Sequence, residues 1–306
     1  MNTVYFDSSL SDAERRRKLY DGQLFVLCPT ESSLALCKFA DAMIRDAFKP
    51  LDPEQAQHSF SVEEYATILT ELKPKFINHP QSKKYLQGIL REAGCDLNQT
   101  YFDVPRMRSA TSGDHLKTGI AYAWHPHRDT WYSAPPCQLN WWMPVYALES
   151  ENAMAFHPRY WDQPVVNDSA GYNYYQWNQI HRPSAAQHLK SDTRPLPRPL
   201  EKVEINPQLR LVPPVGGIII FSGQQMHSTV PNTSGKTRYS IDFRTVNLED
   251  VANKQGAKNI DSACTGTSLR DFLRGTELTR IPEEIVALYN DGTESAGALI
   301  YEAETR

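Results

Sequence analysis

Near residue 99 the chain changes its pattern: four stretches with apolar residues at helical spacing lie before it, and a series of short runs rich in β-branched and aromatic residues follows. Residues 11–19, 31–48, 62–72 and 83–93 predict helices, the second opening on Pro29-Thr30 and the third on Ser61, whose hydroxyl can accept from the free N–H groups of a first turn. One solid apolar run, 23–27, follows Gly22 and predicts a buried strand among the helices. Beyond the change, 101–108, 118–124, 138–146, 152–156, 209–212, 217–221 and 238–246 predict strands. Helices first and strands afterwards is the order of an α+β fold, since a parallel α/β sheet needs the two kinds to alternate. We therefore expect one domain over 1–306: a mainly helical buttress over 1–98, a strand-built core over 99–250, and a helical tail over 251–306 with short helices at 269–273 and 282–289.

The core is interrupted by residues 158–207, far longer than the roughly 12–15 residues of an ordinary connection. The density of aromatic side chains in Tyr172-Asn173-Tyr174-Tyr175-Gln176-Trp177-Asn178 argues against disorder. This segment is expected to form a lid, with the Pro-rich run 194–199 as a stiff spacer returning the chain to the core.

A formal net charge of −4 gives no global attraction to nucleic acid or to an anionic membrane surface. The five cysteines are scattered without a CxxC pair, which suits reduced thiols. The opening Met1-Asn2-Thr3-Val4 carries no basic-then-apolar run, and no stretch approaches the length of a membrane span, so a soluble cytoplasmic protein is expected. Its expected partner is a small-molecule substrate, and contact between two copies through the tail, giving a homodimer, is left open.

Three residues could share one metal. In Trp124-His125-Pro126-His127-Arg128-Asp129-Thr130, residues 127 and 129 stand two apart, so on a strand His127 and Asp129 would project from one face and Arg128 from the other. A hundred residues on, the Gly216-Gly217-Ile218-Ile219-Ile220-Phe221 run predicts a buried strand leading through a turn to His227. Two imidazoles and one carboxylate leave three of six octahedral positions open, as non-haem Fe(II) requires; a closed structural zinc site leaves none. His125 is an alternative ligand, though its place in the run suits a supporting role. Arg238 and Ser240 follow His227 as Arg-x-Ser on one strand face, with Arg238 eleven residues after the histidine.

This order of His-x-Asp, Gly-Gly-hydrophobic strand, His and Arg-x-Ser resembles the Fe(II)/2-oxoglutarate-dependent dioxygenases, and within them the phytanoyl-CoA dioxygenase-like branch, over residues 99 to 247. The resemblance implies a double-stranded β-helix, the cupin-like jelly roll, with Fe(II), 2-oxoglutarate and O2 as cofactors. It implies His127, Asp129 and His227 as iron ligands, and release of succinate and CO2 as a substrate C–H is hydroxylated, desaturated or cyclised. The cosubstrate's far carboxylate needs a cation, and a planar guanidinium suits it better than an ammonium. Arg238 is the candidate, with Ser240 beside it, and Arg244 is its rival farther along the strand. A carboxylate at 129 removes the vacancy at which halogenases of the family hold chloride.

Other residues are expected at the pocket. Gln138 and Asn140 share a face of the strand after the iron pair, where Gln138 could bond the cosubstrate and Asn140 the substrate. Trp141 and Trp142 point to opposite faces, so one at most lines the pocket, and Trp141 is placed there. Arg106, Arg108, Tyr175 and Trp177 complete the substrate set, and the polar character of these residues suggests a small polar, even anionic, metabolite. His157, His181 and His188 are expected on the lid in polar surface roles. Two other readings stay open: a cupin-like metalloenzyme without 2-oxoglutarate, and a non-catalytic jelly-roll protein that binds a ligand.

Overall fold

The computed structural model describes residues 3–122 and 125–293. Its helices lie early: α1 (Asp12–Tyr20), α2 (Glu31–Phe48), α3 (Val62–Asn78) and α4 (Pro80–Glu92), with the strands β1 (Val4–Phe6) and β2 (Leu24–Leu27) among them. Ser11 with Glu14, Thr30 with Ser33 and Ser61 with Glu64 form reciprocal caps that fix where the first three helices start. The third runs six residues past its expected end at 72, carrying Pro74 inside it.

Nine further strands follow: β3 (Thr100–Phe102), β4 (Arg106–Ala110), β5 (Leu139–Pro144), β6 (Met154–Phe156), β7 (Leu209–Leu211), β8 (Ile218–Ser222), β9 (His227–Thr229), β10 (Arg238–Asn247) and β11 (Leu273–Arg274). They form an eight-stranded sheet, in the order β1-β2-β8-β5-β10-β3-β11 with β4 also on β10, and a three-stranded sheet ordered β7-β6-β9. The large sheet buries one face under the helices, where Trp141, Ile218, Ile220, Ile241 and Phe243 meet Leu36, Leu69 and Phe76. From its other face Trp142, Ile219 and Phe221 pack on Met154, Phe156 and Leu211 of the small sheet. The alternation of strand side chains thus gives β5, β8 and β10 an apolar outer face toward the helices and an inner face toward the second sheet.

Several expectations are corrected. The predicted strand 101–108 is two strands, since Pro105 cannot donate to a ladder and the pairing with β10 breaks around it. Residues 118–124 are not a strand: Gly119–Ala121 is a 3-10 turn, and 123–124 lie outside the described residues. In the tail, the helix expected at 269–273 is a 3-10 turn, Leu269–Asp271, leading into β11. The helix expected at 282–289 is one turn, Glu283–Val286, followed by a 3-10 turn. Among the described residues, no helix is long and apolar enough to cross a membrane.

Candidate metal centre and its pocket

His127 and His227 are brought together by backbone pairing. Each donates its N–H to the other's carbonyl oxygen at 3.0 Å, an isolated antiparallel bridge that sets both imidazoles on one side with ring centroids 4.2 Å apart. The His-x-Asp pair does not lie on a continuous strand, as the sequence suggested. His127 is a lone bridge residue and Asp129 opens a 3-10 turn, Asp129–Tyr132, whose N–H donates to Gly223 O at 2.8 Å. The projection expected of the pair still holds. Arg128 turns away and is fully buried, pairing with Asp261 at 3.0 Å.

The side chains of His127, Asp129 and His227 are all buried, with one ligand atom from each lying within 4.8 Å of the others. His127 Nδ1 donates to His125 O at 2.8 Å and His227 Nδ1 donates to Gln225 O at 2.9 Å. A carbonyl can only accept, so the proton sits on Nδ1 and the Nε2 lone pair of each ring is left for a metal. Both Nε2 atoms face Asp129 Oδ1, at 3.5 Å from His127 and 3.8 Å from His227. The other oxygen, Oδ2, accepts from Asn140 Nδ2 at 2.9 Å and Gln138 Nε2 at 3.1 Å, with Arg244 Nε 3.6 Å away. Burial works to raise the Asp129 pKa, but the His127 contact and the charge of Arg244 hold the carboxyl well below its usual range. Burial, followed by the neighbouring His127, lowers His227 to about 3, so this ring is neutral at ordinary pH. Three donors converging on one point can hold a divalent metal.

A cavity of about 440 Å³ opens beside this cluster. Its walls include Arg106, Arg108, Asn140 and Trp177, as expected, but not Gln138, Ser240, Trp141 or Tyr175. Gln138 is turned to Asp129 and Asn140 instead. Trp142 lines the cavity in place of Trp141, whose Nε1 donates to Thr245 and whose ring stacks on Phe243 under the helices. Tyr174 likewise replaces Tyr175, whose hydroxyl accepts from Arg270 at 3.0 Å. Residues of 158–207 wall the cavity through Tyr172, Tyr174, Trp177 and Arg182. His125 holds its place between Tyr122 and Pro197 O, a supporting position, while His157 is fully buried against Ser228 and so is not a surface residue.

The two candidate arginines differ in their partners. Arg244 is claimed by carboxylates, at 3.6 Å from Asp129 and 3.7 Å from Asp103, which hold its proton tightly despite burial. Among the described residues, Arg238 has only the carbonyls of Asn152 and Ala153, lies over the Trp142 ring at 5.5 Å, and leaves Nε buried without a partner. Burial draws it down to about 10. It stands in the large sheet, whereas His227 stands in the small one, so the two are not on neighbouring strands. Ser240, next along the same face, also has a buried hydroxyl with no partner among the described residues.

No family model and no curated protein matches the chain. Among solved structures, EvdO2 from Micromonospora carbonacea var. aurantiaca is similar with 14% identity and a TM-score of 0.41, over 79% of this chain and 93% of that one. A second structure of EvdO2, complexed with 2-oxoglutarate, gives 14% and 0.41 over 78% and 92%. The apo form of ThoJ, a non-heme monooxygenase, gives 10% and 0.36 over 70% of each chain.

Proposed function

We propose that this chain is a non-haem Fe(II)/2-oxoglutarate-dependent oxygenase of the phytanoyl-CoA dioxygenase-like branch, acting on a small polar metabolite from a single domain with a jelly-roll core. The observation that carries this reading is the division of labour at Asp129. One oxygen meets two Nε2 lone pairs, and the other is occupied by protein donors. The carboxylate is thereby limited to one ligand atom, and a site with three protein ligands keeps positions for other molecules.

The residues fit the cofactors. His127, Asp129 and His227 would hold Fe(II), and Arg238, a buried cation with no carboxylate partner among the described residues, would take the far carboxylate of 2-oxoglutarate. With O2, these would supply an oxidation in which the cosubstrate becomes succinate and CO2 while the substrate is hydroxylated, or desaturated or cyclised. The protein's own work is positioning. Asn140 and Gln138 orient Asp129, and the Nδ1 contacts fix both imidazoles. Tyr172, Tyr174 and Trp177 form a wall that keeps water from the reacting carbon.

The test is anaerobic titration of the protein with Fe(II) and 2-oxoglutarate, watching for the visible metal-to-ligand charge-transfer band of the chelate. The expected band is lost in Asp129→Ala and weakened in Arg238→Gln. No band at saturating iron would remove the cosubstrate from this reading.

A further inference from the structure

The cavity carries more buried cation than its carboxylates balance. Arg106 pairs with Asp103 at 2.7 Å, Arg108 with Asp242 at 2.5 Å, and Arg194 with Asp192 at 2.6 Å. Arg244 is shared between Asp129 and Asp103. Beyond Arg238, two cavity-lining cations stand without a carboxylate within ion-pair distance among the described residues: Lys73 and Arg182. Lys73 is 8% exposed, and its ammonium donates to the Ile120 carbonyl. The Arg182 guanidinium makes no hydrogen bond to any described residue, and Asp271 acts on it only through space.

These groups converge from different elements. Lys73 comes from α3, Arg108 from β4, and Arg182 from the turn that ends the Trp177–His181 segment of the lid. The turn Ala185–Gln187, just after Arg182, packs on α3, and Lys73 has Arg108 and Asp242 within electrostatic reach while Arg182 has Arg106, Tyr174, Asp271 and Arg108. Folding therefore gathers like charges in a place sheltered from water, at a cost that Asp242 near Lys73 and Asp271 near Arg182 offset only in part. A ligand that brings the missing negative charge removes that cost, and a guanidinium beside an ammonium matches the oxygens of a carboxylate or phosphate.

We propose that Lys73, Arg108 and Arg182 form an anion-binding subsite, separate from Arg238, that takes a carboxylate or phosphate group of the substrate. This inference rests on the oxygenase reading for the word substrate, and the subsite itself does not. It makes the metabolite an organic acid or phosphate ester, held by its charged end at α3 and the lid while the carbon to be oxidised points to the metal centre.

The test is calorimetric titration of the full chain, loaded anaerobically with Fe(II) and 2-oxoglutarate, using sodium phosphate in one arm and sodium acetate in the other at constant ionic strength. We expect saturable uptake in at least one arm, weakened at least about tenfold in Arg182→Gln and in Lys73→Gln, and the tighter arm names the anion. Arg182 is only half-buried on an irregular segment, so its variant decides the matter if Lys73→Gln does not fold. The charge-transfer band should persist in Arg182→Gln. Absence of saturable uptake in both arms overturns the subsite, and so does uptake unchanged in Arg182→Gln. Phosphate that displaces 2-oxoglutarate and is lost only in Arg238→Gln would place the anion in the cosubstrate cradle and likewise overturn it. The same titrations on metal-free protein separate the two readings: uptake that depends on Arg182 in a chain that forms no chelate sustains the subsite and sinks the oxygenase.

Discussion

Asn140 and Arg244 stand opposite one another on β5 and β10, and both reach the same oxygen of Asp129, at 2.9 Å and 3.6 Å. That pairing restrains the carboxylate from behind and leaves Oδ1 to the histidines. Asn140→Ala removes one of the restraining donors, so Asp129 can rotate and chelate poorly. We expect metal affinity to fall by roughly 10–100-fold with the fold unchanged, as measured by competition with a coloured chelator.

Arg238 and Arg244 should separate in kinetics. Arg238→Gln is expected to raise the KM for 2-oxoglutarate by about 10–100-fold, the loss of a charge-assisted pair, while leaving the KM of the other substrate nearly unchanged. Arg238→Lys should restore little, since an ammonium cannot make the planar two-bond contact. Without cosubstrate, Arg238→Met should melt higher than the parent, because a buried cation without a carboxylate partner among the described residues has been replaced by an apolar chain. A KM for 2-oxoglutarate unchanged in Arg238→Gln would move the cosubstrate elsewhere.

Lys73 gives the protein a predictable pH response. Burial first, and then the charge of Arg108, lower it to about 7 in the folded chain, while in the unfolded chain it titrates in the ordinary lysine range. Between those limits the unfolded state binds the extra proton, so stability conferred at this position rises with pH from about 7 upward. Lys73→Met should remove that slope, making the variant more stable than the parent below about 7 and closing the difference as pH rises. Thermal melts of both proteins across this window check the sign. The same proton governs the anion subsite, where phosphate affinity should weaken as pH rises through about 7, with Arg108 and Asp242 as the charged groups facing the ammonium.

Much of this site was legible in the chain, for reasons that also mark where legibility stops. The cluster of His127, Asp129 and His227 could be read because a metal demands particular side chains at particular intervals. Helix α2 was read to both ends because Thr30 caps it and its apolar stripe is continuous. Trp141 and Trp142 could be set on opposite faces, but which face meets the helices depends on the register of β5 with β8 and β10, and that is fixed by distant residues. Gln138 and Asn140 were seen to point inward, yet their target is Asp129, brought over them by the contact of its N–H with Gly223 O. Lys73 was missed although a signal existed: it lies four residues after Leu69 and three before Phe76, on the buried stripe of α3. Arg182 had no such signal, because no periodicity reaches into the lid.

The segment 158–207 is held against the turn at Gly119. This glycine has φ +57°, and a Cβ there would stand 2.3 Å from Ala185 O and 2.6 Å from His188 O, both backbone atoms of the lid. Its N–H donates to Asp192 at 3.2 Å, and Thr118 Oγ1 donates to His188 O at 2.7 Å. Gly119→Ala must therefore both strain the turn and push residues 185–188 outward, carrying the neighbouring Arg182 with them. We expect the helices and sheets to remain, because that turn carries little of the core. Limited proteolysis should then cut the variant near 185–192 faster than the parent, and the KM of an anionic substrate should rise with little change in that of 2-oxoglutarate. Cleavage at the parent's rate with unchanged KM values would show that the lid does not depend on this contact for its place over the cavity.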